Sequence, residues 1–324
     1  MNIKGISLFS GGLDSILAVS LIRKQNIDVI GVTFETPFFT AGSALKAAKD
    51  IELPLRVIDI TEAHLSMLKA PVYGYGRNMN PCIDCHALML KEAGDRMNEE
   101  GADFVFTGEV LGQRPMSQTR QSLHIVAKLS GYEGLIIRPL SAKLLEETIP
   151  EKEGTVDRLT LADIQGRGRK RQMELAREFG IKEYSSPAGG CLLTDPVFAR
   201  RLKDLFTHGG DSVRDIKLLK IGRHLRLSDK TKIIVGRNRD ENEAIEGSAD
   251  SGDVLVQIQG IPGPAVLIPS GCDTETLHKS AAVCARYSDA PKGATVTAMA
   301  KWGSETWTFE IKSADPEKTA ELLI

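Results

Sequence analysis

Long hydrophobic runs are missing from this chain of 324 residues, of which 42% are hydrophobic and 26% are charged. No stretch approaches the roughly 20 consecutive apolar residues that a membrane-spanning helix needs. The N-terminal MNIKGISLFS lacks the charged region and small-residue cleavage site of a secretory signal. We therefore expect a cytoplasmic protein without a membrane segment. Internal repeats and low-complexity tracts are also missing, and the length is typical of two globular domains.

Cysteine is scarce as well, with five residues at uneven spacing, too few for a disulfide scaffold. In cytosolic proteins such cysteines more often bind metal or take part in redox chemistry, so Cys82, Cys85 and Cys191 call for a functional explanation. Cys272 and Cys284 are expected to be ordinary buried residues. The chain also lacks an excess of either charge, since its formal net charge is −2. Binding of nucleic acid would therefore depend on local basic patches.

Apolar strand-like segments alternate with amphipathic helical segments over about the first 200 residues. The strand candidates are ISLF, DVIGVTFE, LRVIDI, DFVFTGE and LIIRPL. This alternation predicts the α/β class, with a doubly wound parallel sheet covered by helices on both faces and ligands at the carboxyl ends of the strands. From about Leu205 the strand candidates become closely spaced and are followed by one helix and a hairpin, which predicts a smaller α+β domain. We expect domains at residues 1–207 and 208–324.

The strongest motif is Ser10-Gly11-Gly12-Leu13-Asp14-Ser15, between the first predicted strand and a helix. Glycines allow a backbone to fold tightly around an anion, and a helix N-terminus adds oriented N–H groups. Because the lysine of the G-x-x-x-x-G-K-[ST] loop is absent, nothing indicates γ-phosphate transfer. The motif is similar to the pyrophosphate-holding loop of the N-type ATP pyrophosphatases, which implies cleavage of ATP between its α- and β-phosphates.

The resemblance implies that ATP is bound by Ser10, Gly11, Gly12, Asp14 and Ser15. We expect Asp14 to lie in an exposed loop and to organise Mg²⁺ or the phosphate loop, since the departure of pyrophosphate needs neutralisation of charge. A glycine turn that only caps the helix is the alternative.

A second motif, TGEVLGQRPMSQT at residues 107–119, follows the fourth predicted strand, and the fifth strand ends in Arg138-Pro139-Leu140. Glycines at a strand end allow a nucleotide to approach, and the neutral polar side chains offer hydrogen bonds. The two segments resemble the TGE-x-LGQ-x-x-SQT and RPL segments of 4-thiouridine synthetase, the ThiI family, and the resemblance extends over roughly residues 5 to 200. It implies a tRNA sulfurtransferase. We expect contacts with ATP from Gly108 and Gln113, and contacts with the substrate from Ser117 and Gln118.

The cysteines form a C-x-x-C pair in Pro81-Cys82-Ile83-Asp84-Cys85-His86, at a predicted helix start, and a third site in the glycine-rich segment Ser186–Cys191. A helix N-terminus places two thiols on one side and favours their thiolate forms. A structural zinc ion needs four protein ligands, whereas a [4Fe-4S] cluster held by three cysteines leaves one iron free for hydrosulfide. His86 is expected to cap or pack against its helix.

This cysteine pattern is similar to that of iron–sulfur-dependent tRNA thiolases. The resemblance implies a [4Fe-4S] cluster bound by Cys82, Cys85 and Cys191, which we also expect to be catalytic. Two alternatives remain, namely a redox or persulfide pair made of Cys191 with one of the other two cysteines, and zinc or inert thiols.

Basic residues are concentrated in two segments. Residues 166–171 carry four cations and no acid, and residues 216–239 carry eight cations with Asp229 as the single acid. The next fourteen residues, 240–253, hold six acids and no cation. Such segregation is typical of an RNA-binding face, although a solvated strand face with balanced charges is the alternative. The second segment also resembles the RNA-binding domain at the end of NFACT proteins. We expect tRNA contacts from Arg169, Lys170, Arg171, Arg223 and Arg226.

These expectations combine into one function, in which ATP adenylates a uridine carbonyl and sulfur then replaces AMP to give 4-thiouridine in tRNA. The sulfur would come from free sulfide or a cysteine desulfurase. Because no RNA-binding domain precedes the ATP loop and no rhodanese domain follows, we expect RNA capture and sulfur delivery to differ from those of the ThiI family. The alternatives are 2-thiouridine synthesis by a persulfide relay, a ligase or amidotransferase acting on a small molecule with structural zinc, and a noncatalytic RNA-binding or sulfur-carrier protein.

Overall fold

The computed structural model describes residues 3–184, 191–291 and 293–324. The chain forms two compact units, Met1–Thr194 and Asp195–Ile324. None of the helices within the described ranges is long and apolar enough to cross a membrane.

The first unit is built around a five-stranded parallel sheet, which confirms the predicted class. Its strands are β1 (Lys4–Leu8), β2 (Asp28–Glu35), β3 (Leu55–Asp59), β4 (Phe104–Thr107) and β5 (Ile136–Ile137). The strand order β3-β2-β1-β4-β5 reverses direction between β1 and β4, where ligands bind in open α/β sheets. Because Leu8 pairs with Thr107, the loops that follow β1 and β4 begin side by side.

Helices cover both faces of this sheet, and two separate clusters of buried side chains fill the layers between them. The helices are α1 (Leu13–Arg23), α2 (Gly42–Asp50), α3 (Thr61–Lys69), α4 (Cys82–Glu99), α5 (Arg120–Ser130), α6 (Ile149–Lys152) and α7 (Lys170–Glu178). Short 3-10 helices lie at Ala142–Leu144, Arg158–Thr160 and Leu192–Thr194. Two helices, α3 and α4, lie between β3 and β4, and Pro71 and Pro81 stand in the segment that separates them.

The second unit contains a six-stranded antiparallel sheet of order β11-β10-β8-β9-β7-β6, as expected for an α+β domain. Its strands are β6 (Arg223–Arg226), β7 (Lys232–Val235), β8 (Val254–Ile258), β9 (Val266–Ile268), β10 (Thr295–Trp302) and β11 (Glu305–Lys312). Its helices are α8 (Pro196–Thr207), α9 (Val213–Leu218), α10 (Arg239–Gly247), α11 (Thr274–Arg286) and α12 (Pro316–Glu321). Cys284 is buried on the apolar side of α11, and Cys272 is half-buried.

Helix α8 belongs to the second unit, whereas the predicted boundary at residues 207 and 208 lies at the far end of this helix. Asp204 in α8 accepts two hydrogen bonds from the guanidinium group of Arg226. Arg201 donates to the carbonyl oxygens of Leu219 and Gly222. These contacts attach α8 to the start of the antiparallel sheet, and a periodicity pattern does not reveal them.

Candidate functional site

The phosphate loop, residues 10–15, follows β1 and leads into α1. Gly11 has φ 74°, in the left-handed region that favours glycine, and a Cβ atom there would lie 2.3 Å from the carbonyl oxygen of Ser43. The hydroxyl of Ser15 donates to the carbonyl oxygen of Gly12 at 2.8 Å and lies 3.3 Å from the hydroxyl of Ser10. Because no side chain of the described residues caps α1, its first N–H groups are available to an anion.

Asp14 is half-buried in the first turn of α1, not in an exposed loop as we expected. Its Oδ2 atom accepts a hydrogen bond from Nε2 of Gln113 at 3.1 Å. Its Oδ1 atom is buried, and no described residue donates a hydrogen bond to it. A buried carboxylate oxygen without a partner is costly, and a cation or a ligand N–H group would satisfy it. The site therefore fits a Mg²⁺–nucleotide ligand.

Gly108, the glycine of the TGE motif, packs directly on the start of α1. A Cβ atom at this position would lie 2.5 Å from the backbone nitrogen of Ser15 and 2.6 Å from the carbonyl carbon of Asp14. Both atoms belong to the helix backbone, so a side chain would force the two loops apart. The motif needs glycine here for close packing of the two loops.

Glu109 joins three of the sequence motifs in a buried ion-pair network. Its Oε1 atom lies 2.9 Å from Nδ1 of His86, and its Oε2 atom accepts a hydrogen bond from Nε of Arg138 at 3.0 Å. Burial alone would raise the pKa of Glu109, but the charge of Arg138 and the hydrogen bond from His86 lower the pKa to about 2. His86 thus packs against a carboxylate. We had assigned no role to Glu109 or Arg138, because the pairing of distant motifs appears only in the fold.

The loop Gly112–Gln118 connects the phosphate loop with the cysteines. It is closed by a hydrogen bond of 2.6 Å from the backbone nitrogen of Gly112 to the carbonyl oxygen of Gln118. Near one end, Gln113 contacts Asp14. Near the other end, Sδ of Met116 lies 3.7 Å from Nδ2 of Asn80. The two predicted sites therefore lie on either side of one short loop.

Ser117 and Gln118 are buried, and Oε1 of Gln118 accepts no hydrogen bond from the residues that the structure describes. The basic segment 166–171 begins beside this loop, since the backbone nitrogen of Gly166 donates to the carbonyl oxygen of Leu111 at 2.7 Å. Arg171 forms ion pairs within α7 with two glutamates. In the described part of the chain, Arg169 and Lys170 have no such partner.

Cys82 and Cys85 occupy the first turn of α4, as predicted. Nδ2 of Asn80 donates to the sulfur of Cys82 at 3.3 Å. Nε2 of His64 lies 3.5 Å from the sulfur of Cys85. His64 is fully buried, and its ring contacts two phenylalanine rings. Burial lowers the pKa of His64 to about 4, so its imidazole is neutral at neutral pH. The sequence analysis missed both nitrogen donors.

Cys191 is brought to the other two cysteines, although the preceding part of its predicted loop, residues 185–190, lies outside the described residues. Nδ2 of Asn78 donates to the carbonyl oxygen of Thr194 at 2.7 Å. Thr194 in turn donates to the carbonyl oxygen of Cys191 through its backbone nitrogen at 2.8 Å and its hydroxyl at 2.7 Å. These hydrogen bonds hold Cys191 beside the segment that precedes Cys82.

The expectation that the helix N-terminus favours thiolates is wrong for Cys85. Burial raises the pKa of Cys85 far above its usual range, and the charges of Cys191, Cys82 and Asp84 raise it further. Desolvation of the Cys191 sulfur, followed by the charge of Cys82, also raises the pKa of Cys191, although the residue as a whole is exposed. Loss of hydration outweighs the helix dipole here. Thiols of this kind become thiolates when a metal centre binds them.

No group of three or more His, Cys, Asp or Glu side chains within the described ranges is arranged to hold a metal ion. In a [4Fe-4S] cluster each cysteine binds a different iron atom, so its thiolates lie farther apart than those around one zinc ion. Three cysteines are the donor set that such a cluster takes when one iron is left open, so the residue types present fit a cluster.

Three of the four arginines in the basic segment 216–239 are paired with acids. The ion pairs are Arg226–Asp204, Arg237–Glu241 and Arg239–Glu243. Arg223 has no carboxylate partner among the residues described, and its Nη1 atom donates to the carbonyl oxygen of Gly236 at 3.4 Å. Two substrate residues were predicted in this unit. The charge of Arg226 is balanced by Asp204, whereas the charge of Arg223 is not balanced by a described acid.

The reversed strand order and the glycine loop after β1 are features of the PP-loop fold. Residues 1–150 match the family model for "Thiamine biosynthesis protein (ThiI)", and residues 222–322 match that for "NFACT protein RNA binding domain". Neither match extends over half of the chain, so residues 1–150 are similar to the first family and residues 222–322 to the second.

Two curated relatives are similar to parts of the chain. A probable tRNA sulfurtransferase of Natranaerobius thermophilus is 30% identical over 164 residues, which cover 48% of this chain and 39% of the relative. The tRNA-specific 2-thiouridylase MnmA of Clostridium acetobutylicum is 27% identical over 267 residues, which cover 74% and 66%. The chain thus spans less than two thirds of each relative. A solved 4-thiouridine synthetase–RNA complex with bound ATP matches with 22% identity and a TM-score of 0.34, over 55% of this chain and 51% of that one.

Proposed function

We propose that this chain is a cytoplasmic tRNA sulfurtransferase (EC 2.8.1.-) that uses ATP and Mg²⁺ to convert a uridine of tRNA into 4-thiouridine. The match to the ThiI model, the names of the two relatives and the NFACT-type domain support this proposal. The observation that carries it is the loop Gly112–Gln118, which contacts Asp14 near one end and Asn80, the donor to Cys82, near the other. A reaction that activates a carbon with ATP and then adds sulfur to it needs the two sites to be adjacent.

The first step is adenylation of the uridine. Its carbonyl oxygen attacks the α-phosphorus of ATP and forms an O–P bond, while the bond to the β-phosphate oxygen breaks and pyrophosphate leaves. The N–H groups of the loop and of α1 stabilise the departing charge. Asp14 would hold Mg²⁺, which when bound supplies positive charge to the phosphates. The ATP-binding residues would be Ser10, Gly11, Gly12, Ser15, Gly108 and Gln113.

In the second step a sulfur nucleophile attacks the activated carbon, the C–O bond breaks and AMP leaves with the former carbonyl oxygen. Cys82, Cys85 and Cys191 would hold a [4Fe-4S] cluster, which when bound offers an iron position for hydrosulfide. Hydrogen bonds from Asn80 and His64 would stabilise negative charge on two of the sulfur atoms. Ser117 and Gln118 would hydrogen-bond to the base. The tRNA phosphates would contact Arg169, Lys170, Arg171 and Arg223.

The contacts that hold Cys191 beside the segment before Cys82 favour one alternative, 2-thiouridine synthesis through a persulfide. The terminal sulfur of a Cys191 persulfide, loaded by a cysteine desulfurase, would attack the carbon and displace AMP. A thiolate of one of the other two cysteines, Cys82 or Cys85, would then attack the sulfur of Cys191 in the resulting mixed disulfide. Thiouridine would leave, and a disulfide between that cysteine and Cys191 would form that an external dithiol reduces.

The test is a reaction of anaerobically purified protein with ATP, Mg²⁺, sulfide and unmodified tRNA, analysed by nucleoside mass spectrometry. We expect AMP, pyrophosphate and 4-thiouridine in equal amounts, and chromatographic standards separate 4-thiouridine from 2-thiouridine. No thiouridine with either sulfide or a cysteine desulfurase plus cysteine would refute the proposal. Asp14→Asn should slow AMP formation by roughly 100-fold. Asp50→Asn makes the same charge change at an exposed position of α2 and should not slow it.

A further inference from the structure

Two arginines of the second unit share one aromatic ring. The guanidinium carbons of Arg223 and Arg286 lie 4.8 Å and 5.7 Å from the centroid of the Tyr287 ring. We propose that Arg223, Tyr287 and Arg286 form a nucleotide-binding site for RNA, in which the guanidinium groups bind a phosphate and the tyrosine ring stacks on an adjacent base. This inference rests on the proposed function in taking tRNA as the RNA.

The absence of acidic partners distinguishes Arg223 and Arg286 from the three other arginines of the basic segment 216–239. Arg226, Arg237 and Arg239 each form an ion pair with a carboxylate. Within the described ranges neither Arg223 nor Arg286 has one. In those three arginines a neighbouring acid balances the charge. Arg223 and Arg286 lie on one ring without such an acid, so an external anion can balance their charge.

The repulsion between the two guanidinium groups also favours a phosphate as the partner of this site. A cation above an aromatic ring gains about 0.5–1 kcal/mol at an exposed site, but a second cation on the same ring is repelled by the first. Arg223, Tyr287 and Arg286 are all half-buried, so water screens this repulsion less than on an open surface. A phosphate between the guanidinium groups replaces repulsion by attraction, and its oxygens match their paired N–H donors.

The site lies at the ends of regular elements. Arg223 is the first residue of β6, and its hydrogen bond to the carbonyl oxygen of Gly236 orients the guanidinium group. Arg286 is the last residue of α11, and Tyr287 follows it directly. An aromatic ring beside arginines suits RNA in particular, because unpaired bases stack on aromatic side chains and on guanidinium planes.

The experiment measures tRNA affinity of the full chain as a function of salt concentration. Arg223→Gln/Arg286→Gln should reduce the slope of log K against log salt by about two, roughly one for each lost phosphate contact. The matched control, Lys301→Gln/Lys318→Gln, removes the same charge from two exposed lysines on other elements and should change the slope less. Tyr287→Leu should weaken binding and leave the slope unchanged, because stacking releases no counterions.

An unchanged slope in the arginine variant, or equal losses in both double variants, would overturn the proposal and indicate diffuse binding. Thermal unfolding followed by tryptophan fluorescence checks that the second unit remains folded, and Arg286→Gln alone replaces the double variant if it does not. Binding is measured without ATP, so a wild-type protein that binds tRNA but forms no thiouridine contradicts the proposed function and not this site.

Discussion

The side-chain amide of Asn78 donates a hydrogen bond of 2.7 Å to the carbonyl oxygen of Thr194, a residue 116 positions away in sequence. Thr194 donates in turn to the carbonyl oxygen of Cys191. Asn78 lies shortly before Cys82, and its backbone nitrogen donates to Oδ1 of Asn80 at 3.2 Å. The same short segment therefore holds the C-x-x-C pair and the third cysteine.

Asn78→Ala should move Cys191 away from Cys82 without changing either thiol. In a Cys85→Ser/Cys272→Ser background, a short bifunctional thiol reagent should bridge the two cysteines about fivefold less in the variant, which corresponds to a hydrogen bond worth about 1 kcal/mol. Peptide mass spectrometry measures the bridged product in metal-free protein. Arg77→Ala, an exposed neighbour, is the control. Equal bridging in Asn78→Ala and Arg77→Ala would show that Asn78 does not hold Cys191.

The parallel sheet and the phosphate loop could be predicted from sequence because their signals are local. Strand and helix periodicity recurs within short windows, and the two glycines of the phosphate loop stand next to each other in the chain. The hairpin of the second unit could be predicted from sequence for the same reason. Trp302 and Trp307 lie on the two strands of this hairpin, with ring centroids 6.4 Å apart.

The contacts around the cysteines could not be predicted, because their partners come from distant elements. Asn80, only two residues before Cys82, was the one accessible signal. His64 lies on another helix, and neither its burial nor its distance to Cys85 follows from a pattern. The raised pKa of Cys85 has the same origin, since the helix start is local but the desolvation depends on the whole fold.

The cysteines give a prediction for metal content. Protein isolated without oxygen should contain about four iron and four sulfide per chain. Cys82→Ser, Cys85→Ser and Cys191→Ser should each lose most of this iron, whereas Cys272→Ser in the second unit should keep it. Elemental analysis measures the iron and zinc contents. Stoichiometric zinc, or iron-free protein that is active with a persulfide donor, would contradict the cluster and favour the relay.

Glu109→Gln should destabilise the first unit by about 3–5 kcal/mol, because Arg138 would remain buried without a counter-charge. Urea unfolding followed by circular dichroism measures the change. Glu99→Gln, which breaks an exposed ion pair with Arg96, should have little effect. A similar loss in both variants would mean that the buried network contributes no more than a surface pair.

The depressed pKa of Glu109, about 2, also fixes the direction of an acid effect. An unfolded glutamate titrates near pH 4.3, so the folded form binds its proton less readily. The stabilisation that Glu109 contributes is present above that pH and is lost as the pH falls towards about 2. The difference in the free energy of unfolding between wild type and Glu109→Gln should become smaller over this pH range.

His224, in the second unit, is a buried base, whereas Glu109 is a buried acid. Its Nε2 atom lies 3.0 Å from the carbonyl oxygen of Ile221 and 3.2 Å from that of Leu218, so the neutral ring donates a hydrogen bond. Burial, followed by the positive charges of Lys232 and Arg201, lowers the pKa of His224 to about 3. As the pH falls, the unfolded chain therefore binds a proton at this histidine near pH 6.5, whereas the folded chain binds it only near pH 3.

The free energy of unfolding of the second unit should consequently fall by about 1.4 kcal/mol per pH unit from this group as the pH drops below about 6.5, and stay constant above it. Both tryptophans of the chain lie in this unit, so tryptophan fluorescence during urea unfolding isolates its transition. His224→Gln removes the titrating ring, and the other groups cancel in the difference between the two proteins. The stability gap between wild type and His224→Gln should therefore shrink by that slope between about pH 6 and 4, and a constant gap would mean that His224 is protonated in the folded protein as readily as in the unfolded chain.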